Sequence, residues 1–203
     1  MITEFLTLTS IYFLALLSPG QDFLLILRNA LAHGYKSAWW NCLGIAFGNA
    51  FYIALAYAGH GVLLHYPLIL PLIECGGALF LIYLGYLLLF STPSHFEQKH
   101  KTLTPSRQKL FRDGFFSALF NPKNALFYLS ILFTIVSINT ALHVRLFYAF
   151  WMIFLLLVWD MTVALFFGNH KALKLLPWLN KAQKIIGVIL ILFGVKTLWK
   201  LAN

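Results

Sequence analysis

Charge is what this chain has least of. Only 10% of its 203 residues are charged, and just six are acidic. Ordinary soluble domains carry about 25% charge, so a conventional water-facing surface is excluded. Cysteine is almost absent. The two present, Cys42 and Cys75, have no metal-type spacing and fall in apolar stretches, which favours small buried hydrophobes over a metal site. The seven histidines are scattered, with His95 and His100 in one polar stretch and His60 and His65 between apolar runs. They make no convincing ligand set, and solvated loop positions explain them better. Nowhere outside residues 91–113 is there a polar segment long enough for a soluble domain.

What the chain does have is apolar length. Hydrophobic residues make up 61% and the mean hydropathy is +0.80, so its solvent is lipid. The net charge of +9 raises nucleic acid as a partner. The basic residues lie in short loops between apolar runs, however, which is the pattern of cytoplasmic membrane loops, and nucleic acid is set aside. A spanning helix needs about 20 apolar residues. Such runs occupy approximately 5–27, 38–59, 68–90, 114–138, 146–168 and 178–199, with Pro67 and Pro71 blurring the start of the third. The expected fold is an all-α integral membrane protein of about six transmembrane helices. The whole of 1–203 forms one membrane domain: a first three-span half (1–90), a basic cytoplasmic loop (91–113) and a second three-span half (114–203). The first run has no basic lead segment, carries Glu4 and continues past Pro19 to Ile26, so it reads as a retained span rather than a signal peptide.

Loop charge sets the expected orientation. Arg28 and Lys36 follow the first span, Lys99, Lys101, Arg107, Lys109 and Arg112 the third, and Lys171, Lys174, Lys181 and Lys184 the fifth. The other side holds Arg145, Lys196 and Lys200, with Glu4 at the N-terminus. The bias puts the odd loops in the cytoplasm and both termini outside. Three spans per half is an odd number, so two similar halves would be inserted upside down relative to each other. Two inverted three-helix repeats are therefore the expected architecture, by position rather than by residue-for-residue similarity.

Two helix-breaking motifs interrupt this apolar pattern: Ser18-Pro19-Gly20-Gln21-Asp22 in span one and Asn121-Pro122-Lys123-Asn124 in span four. Broken backbone and charge cost several kcal/mol in hydrocarbon and persist only where protein or a watery cavity accommodates them. Paired interruptions in the two halves point to a transport site. Ser18 reads as an N-cap with Pro19 at the first helical position and Gln21 completing a capping box, and Asn121-Pro122 repeats the cap-then-proline logic. Both motifs would then start half-helices whose free N–H groups and positive dipole ends suit a carboxylate. Pro19 lies about ten residues, or roughly 15 Å of helix, from Arg28, near mid-membrane. The expected binding residues are Ser18, Pro19, Gly20, Gln21, Asp22, Asn121, Pro122, Lys123 and Asn124, with Asn49 as a cavity-facing candidate.

Asp22 can pair with Lys123, bind an ammonium group or carry a proton, against the plainer reading of a first-turn carboxylate. Asp160, mid-span with no basic partner at helical spacing, is the second candidate for proton or cation coupling, against a structural hydrogen bond. Gly44 and Gly48 form a G-x-x-x-G pattern, and with Gly85, Gly187 and Gly194 they are expected at close helix contacts. Tryptophans such as Trp39, Trp178 and Trp199 fit interface anchoring.

At these residues the chain resembles the LysE/RhtB family of bacterial amino-acid exporters. The resemblance rests on Ser18-Pro19-Gly20-Gln21-Asp22, on Gly44 and Gly48, on Tyr83-Leu84-Gly85, on Asn121-Pro122-Lys123 and on Gly187 and Gly194, and it covers essentially the whole chain. Gln21 stands where the family usually has a second proline, placing an amide beside the expected site. The resemblance implies a secondary transporter of the bacterial cytoplasmic (inner) membrane, without enzymatic activity or cofactor. It would export a small amino acid or related metabolite, driven by the proton gradient or membrane potential. One charge crossing 100 mV supplies about 2.3 kcal/mol, enough for roughly a fifty-fold gradient. Partners would be the amino acid and the bilayer, and a bundle this small suits a homodimer. Alternatives are an exporter of a metal cation or other small solute, a membrane-embedded enzyme, or an interaction subunit. No ligand cluster or nucleophile supports the first two, and an interaction subunit leaves the two breaks unexplained.

Overall fold

Hydrocarbon offers the backbone no hydrogen bonds, so an apolar chain must satisfy its amides within each segment, and helices do so. A computed structural model describes residues 2–18, 20–63, 70–90, 105–137, 139–168 and 176–202, which form helices and, among those described, no strand. In chain order these are α1 (Ile2–Leu16), α2 (Gln21–His33), α3 (Tyr35–Leu63) and α4 (Leu70–Leu89), then α5 (Arg107–Leu119), α6 (Pro122–Ile135), α7 (Leu142–Phe167) and α8 (Leu176–Ala202). Spans two, three, five and six of the sequence are each one helix. Spans one and four are each two. α1 and α2 meet at 55°, and α5 gives way to α6 across Phe120 and Asn121.

Local chemistry sets several of these ends. α2 stops at Gly34, whose φ of +83° is closed to ordinary side chains and whose N–H bonds back to Ala30. α5 starts at Ser106, whose hydroxyl accepts from the Lys109 N–H at 3.3 Å. Among the described residues, three helices are long and apolar enough to cross a bilayer alone: Tyr35–Gly59 within α3, α7, and Lys184–Ala202 within α8. The bent α1–α2 pair makes a fourth if counted as one span. Large apolar side chains point outward along these helices, Phe47, Phe150, Ile185 and Leu192 among them. A surface of this kind is stable only against lipid.

α3 is the hub, touching α2, α5, α6 and α7, while α4 packs chiefly on α8 and α6. Absence of side chains makes the closest approaches. A Cβ on Gly44 would stand 2.0 Å from the Phe111 carbonyl oxygen, and one on Gly48 2.8 Å from Ala118 Cβ. Gly114 of α5 returns the contact, with Asn41 O at 2.2 Å from its would-be Cβ. Between α4 and α8, a Cβ added to Gly85 would stand 2.5 Å from Gly187 O, one on Gly187 2.6 Å from Gly85 O, and one on Gly194 2.6 Å from Ala78 O. Polar glue reinforces one seam: Asn29 Nδ2 donates to Asn41 Oδ1 (2.9 Å) and Asn41 Nδ2 to the Leu110 carbonyl (2.7 Å), tying α2, α3 and α5. The Tyr52 hydroxyl also donates to the Leu119 carbonyl, leaving the end of α5 bonded to α3.

At the opposite end, Glu4 of α1 accepts from Ser137 N and Thr140 Oγ1, both at 2.9 Å, and Arg145 Nε donates to the Thr140 carbonyl. That fastens the α6–α7 turn to the start of α1. His65, His95, His100, Lys99, Lys101, Lys171 and Lys174 lie outside the described residues, as do Pro19 and Pro67.

Candidate functional site

The two breaks lie against each other, and they are built differently. α1 closes with Ser18 N bonding to Ala15 O, and α2 opens at Gly20, whose backbone is extended (φ −118°, ψ −163°) and which gives no side-chain cap. The expected Ser18–Gln21 capping box is therefore corrected. The Ser18 hydroxyl accepts from Lys123 Nζ at 3.0 Å instead, and Gln21 is exposed and is not among the residues that line the cavity beside these breaks. A cation across the bundle outcompetes the local N–H for that oxygen because a charged donor makes the stronger bond.

At the second break the capping logic holds. Asn121 Oδ1 accepts from Lys123 N at 3.1 Å, Pro122 occupies the first turn, and the N–H groups of Asn124 and Ala125 bond to Asn121 O. The first-turn donors of α6 are thus already engaged. The expectation that both half-helices offer free N–H groups is corrected for α6, which presents its dipole and Lys123; at the start of α2, Gly20 supplies no side-chain cap.

Asp22 and Lys123, close in space, take separate neutral partners. Ser117 Oγ donates to Asp22 Oδ1 and Asn124 Nδ2 to Asp22 Oδ2, both at 2.7 Å. Lys123 Nζ reaches Ser18 Oγ at 3.0 Å and Ser18 O at 3.4 Å. An ammonium has three donors, so one remains for a ligand. Gly20 keeps this arrangement open, since a Cβ there would lie 3.3 Å from Lys123 Nζ.

These groups line a cavity of about 60 Å³. Its polar wall comes from Ser18, Asp22, Asn121, Lys123 and Asn124, and its apolar wall includes Leu16, Phe23, Phe127, Leu156 and Trp159. Tyr12 of α1 and Tyr128 of α6 close it with a hydroxyl–hydroxyl bond of 2.8 Å. Asn49 of α3 and Asp160 of α7 also face in. Among the described residues, the lining belongs to α1, α2, α3, α6, α7 or the breaks between helices, and α4, α5 and α8 supply none of it.

The sequence reading missed Ser117, Tyr12 and Tyr128. A hydroxyl inside an apolar span was the available signal, and chain order alone gives no sign that these oxygens meet. Asn29 and Asn41 were missed for the same reason, although a buried amide in a span is costly unless partnered.

Residues 13–201, nearly the whole chain, match the model of the LysE type translocator family. The chain belongs to that family. A LysE type translocator is a transporter rather than an enzyme, and this one is a multi-pass membrane protein with a small-molecule substrate. An uncharacterized membrane protein of Bacillus subtilis, YrhP, is 29% identical over 197 residues, covering 88% of this chain and 90% of its own length. Leucine efflux proteins of Salmonella choleraesuis and Salmonella typhimurium are each 32% identical over 129 residues, 63% of this chain. The matched region spans 60% of those leucine efflux proteins. No solved structure matches this LysE type translocator.

Proposed function

We propose that this chain exports amino acids, apolar ones such as leucine foremost, across the bacterial cytoplasmic membrane. The observation that carries the reading is that Lys123 and two carboxylates, Asp22 and Asp160, face one cavity with apolar walls. A zwitterion with an apolar side chain needs one group of each sign and an oily wall beside them. The leucine efflux proteins among the relatives support the apolar choice. Lys123 and the uncapped start of α2 hold the carboxylate. Ser18, Gly20, Asn121 and Asn124 shape the cavity, and Asp22 and Asp160 are the carboxylates available to exchange a proton under the proton gradient.

In this reading the protein has six spans, α1–α2, α3, α4, α5–α6, α7 and α8, with both termini outside and the basic loops in the cytoplasm. Two observations support halves related as inverted repeats. Each half contributes its broken span and its second span to the cavity and withholds its third. The two third helices cross at glycines that contact each other reciprocally, Gly85 to Gly187 O and Gly187 to Gly85 O. The corresponding gates are then unequal: α3 packs closely along α5, whereas α7 touches α1 far less. The glycine-lined α3–α5 seam, at the basic end, is the closed one.

Efflux from cells preloaded with labelled amino acids tests the reading. Overexpressed wild type is expected to speed loss of leucine, and Lys123→Gln to abolish that gain. Unchanged efflux for every amino acid in the panel on overexpression overturns it.

A further inference from the structure

We propose that Asp160 and Asn49 together form the subsite for the substrate's ammonium group. The inference rests on the amino-acid export reading and names the part of the cavity that recognises the amino end.

Asp160 sits on α7 and Asn49 on α3, and both line the same cavity while remaining 5% and 2% exposed. Asp160 Oδ2 and Asn49 Oδ1 each have no hydrogen-bond donor among the described residues. The orientation of the Asn49 amide follows from its other bond. Its Nδ2 donates to the Ile45 carbonyl at 2.9 Å, a carbonyl that can only accept, so the acceptor Oδ1 is the free end. Buried acceptors normally find a partner, and one left alone is destabilising. Two in one cavity, one of them a carboxylate, call for a ligand rich in donors and positively charged. An alkylammonium group, with three N–H donors and one positive charge, has that chemistry.

The rest of the cavity leaves this task to them. Both oxygens of Asp22 already accept, from Ser117 and from Asn124, so Asp22 has less to offer a new donor. Tyr12 and Tyr128 engage each other. Lys123 is a donor and repels an ammonium group. A zwitterion therefore fits one way round: carboxylate to Lys123, amino group to Asp160 and Asn49, side chain along Phe127, Leu156 and Trp159.

The test uses the purified full chain in detergent, with calorimetric binding of leucine and of 4-methylpentanoate, which has the same carbon skeleton and carboxylate but no amino group. Wild type is expected to prefer leucine. Asp160→Asn is expected to weaken leucine binding about tenfold to a hundredfold, the range for losing a hydrogen bond to a charged group, and to leave 4-methylpentanoate unchanged. Asn49→Ala should act in the same direction by a smaller factor. Retained binding of 4-methylpentanoate shows that each variant is folded. Full leucine preference in both variants overturns the subsite, as does equal loss of both ligands in Asp160→Asn while Asn49→Ala keeps the wild-type preference. A wild type that binds no amino acid sinks the export reading itself, a result distinct from either.

Discussion

At the residue scale, the functional chemistry is a matter of which neutral group holds which charge. Asp22 and Lys123 are opposite charges in one cavity, yet each is bound by hydroxyl and amide partners. Removing one charge should therefore leave the other poorly compensated. Asp22→Asn or Lys123→Gln alone is expected to destabilise the protein by about 1.5–3 kcal/mol, the range for hydrogen bonds to charged groups. The double variant should recover part of that stability without recovering transport. Thermal unfolding in detergent beside an efflux assay checks this, and strictly additive losses of stability would contradict it. Both charged residues were legible in the sequence, because a charge close to a proline inside an apolar run is costly unless protein or a watery cavity accommodates it. Their partners were not. Ser117 is an ordinary helical serine until folding places it 2.7 Å from a carboxylate 95 residues earlier.

At the scale of elements, the breaks were visible as breaks, but their capping was only half readable. Asn121-Pro122 behaves as local rules expect, since its cap acts on the residue two positions on. Ser18 does not, because its oxygen is claimed by Lys123 from a distant helix. The G-x-x-x-G pattern of α3 has a counterpart that the sequence reading passed over: Gly114 of α5 lies against the backbone of Asn41, whose side chain bonds to α5. A methyl group at Gly114 has backbone, not a flexible side chain, in its way. Gly114→Ala is expected to cost about 1–3 kcal/mol through overpacking and to lower the unfolding temperature by several degrees. Asn41→Leu should cost a similar amount by stranding Asn29. A wild-type unfolding temperature for Gly114→Ala would mean that this seam is not a close contact in the bilayer.

At the scale of the whole molecule, five helices, α1, α2, α3, α6 and α7, supply the described lining of the cavity, and the α4–α8 pair contributes no described residue to it. If the α3–α5 seam is a gate, it must part during each cycle. Phe47 and Phe111 face each other across it with ring centres 5.6 Å apart. In a variant with Cys42 and Cys75 replaced by alanine, Phe47→Cys and Phe111→Cys joined by a short reducible cross-linker should stop leucine efflux, and reduction should restore it. Undiminished efflux with the link in place would show that the seam stays shut throughout transport.

Composition and run length by themselves determined that this protein is helical and lives in lipid, because hydrocarbon permits an unpaired backbone nowhere else. They also marked both breaks, since proline and charge stand out against an apolar background. Tertiary structure alone decided what the breaks become. Every face of these helices is apolar, so periodicity cannot say which side of a span looks inward. Only packing through glycine contacts brought Ser18 to Lys123, Asp22 to Ser117 and Asn124, and the unpartnered oxygens of Asn49 and Asp160 into one cavity.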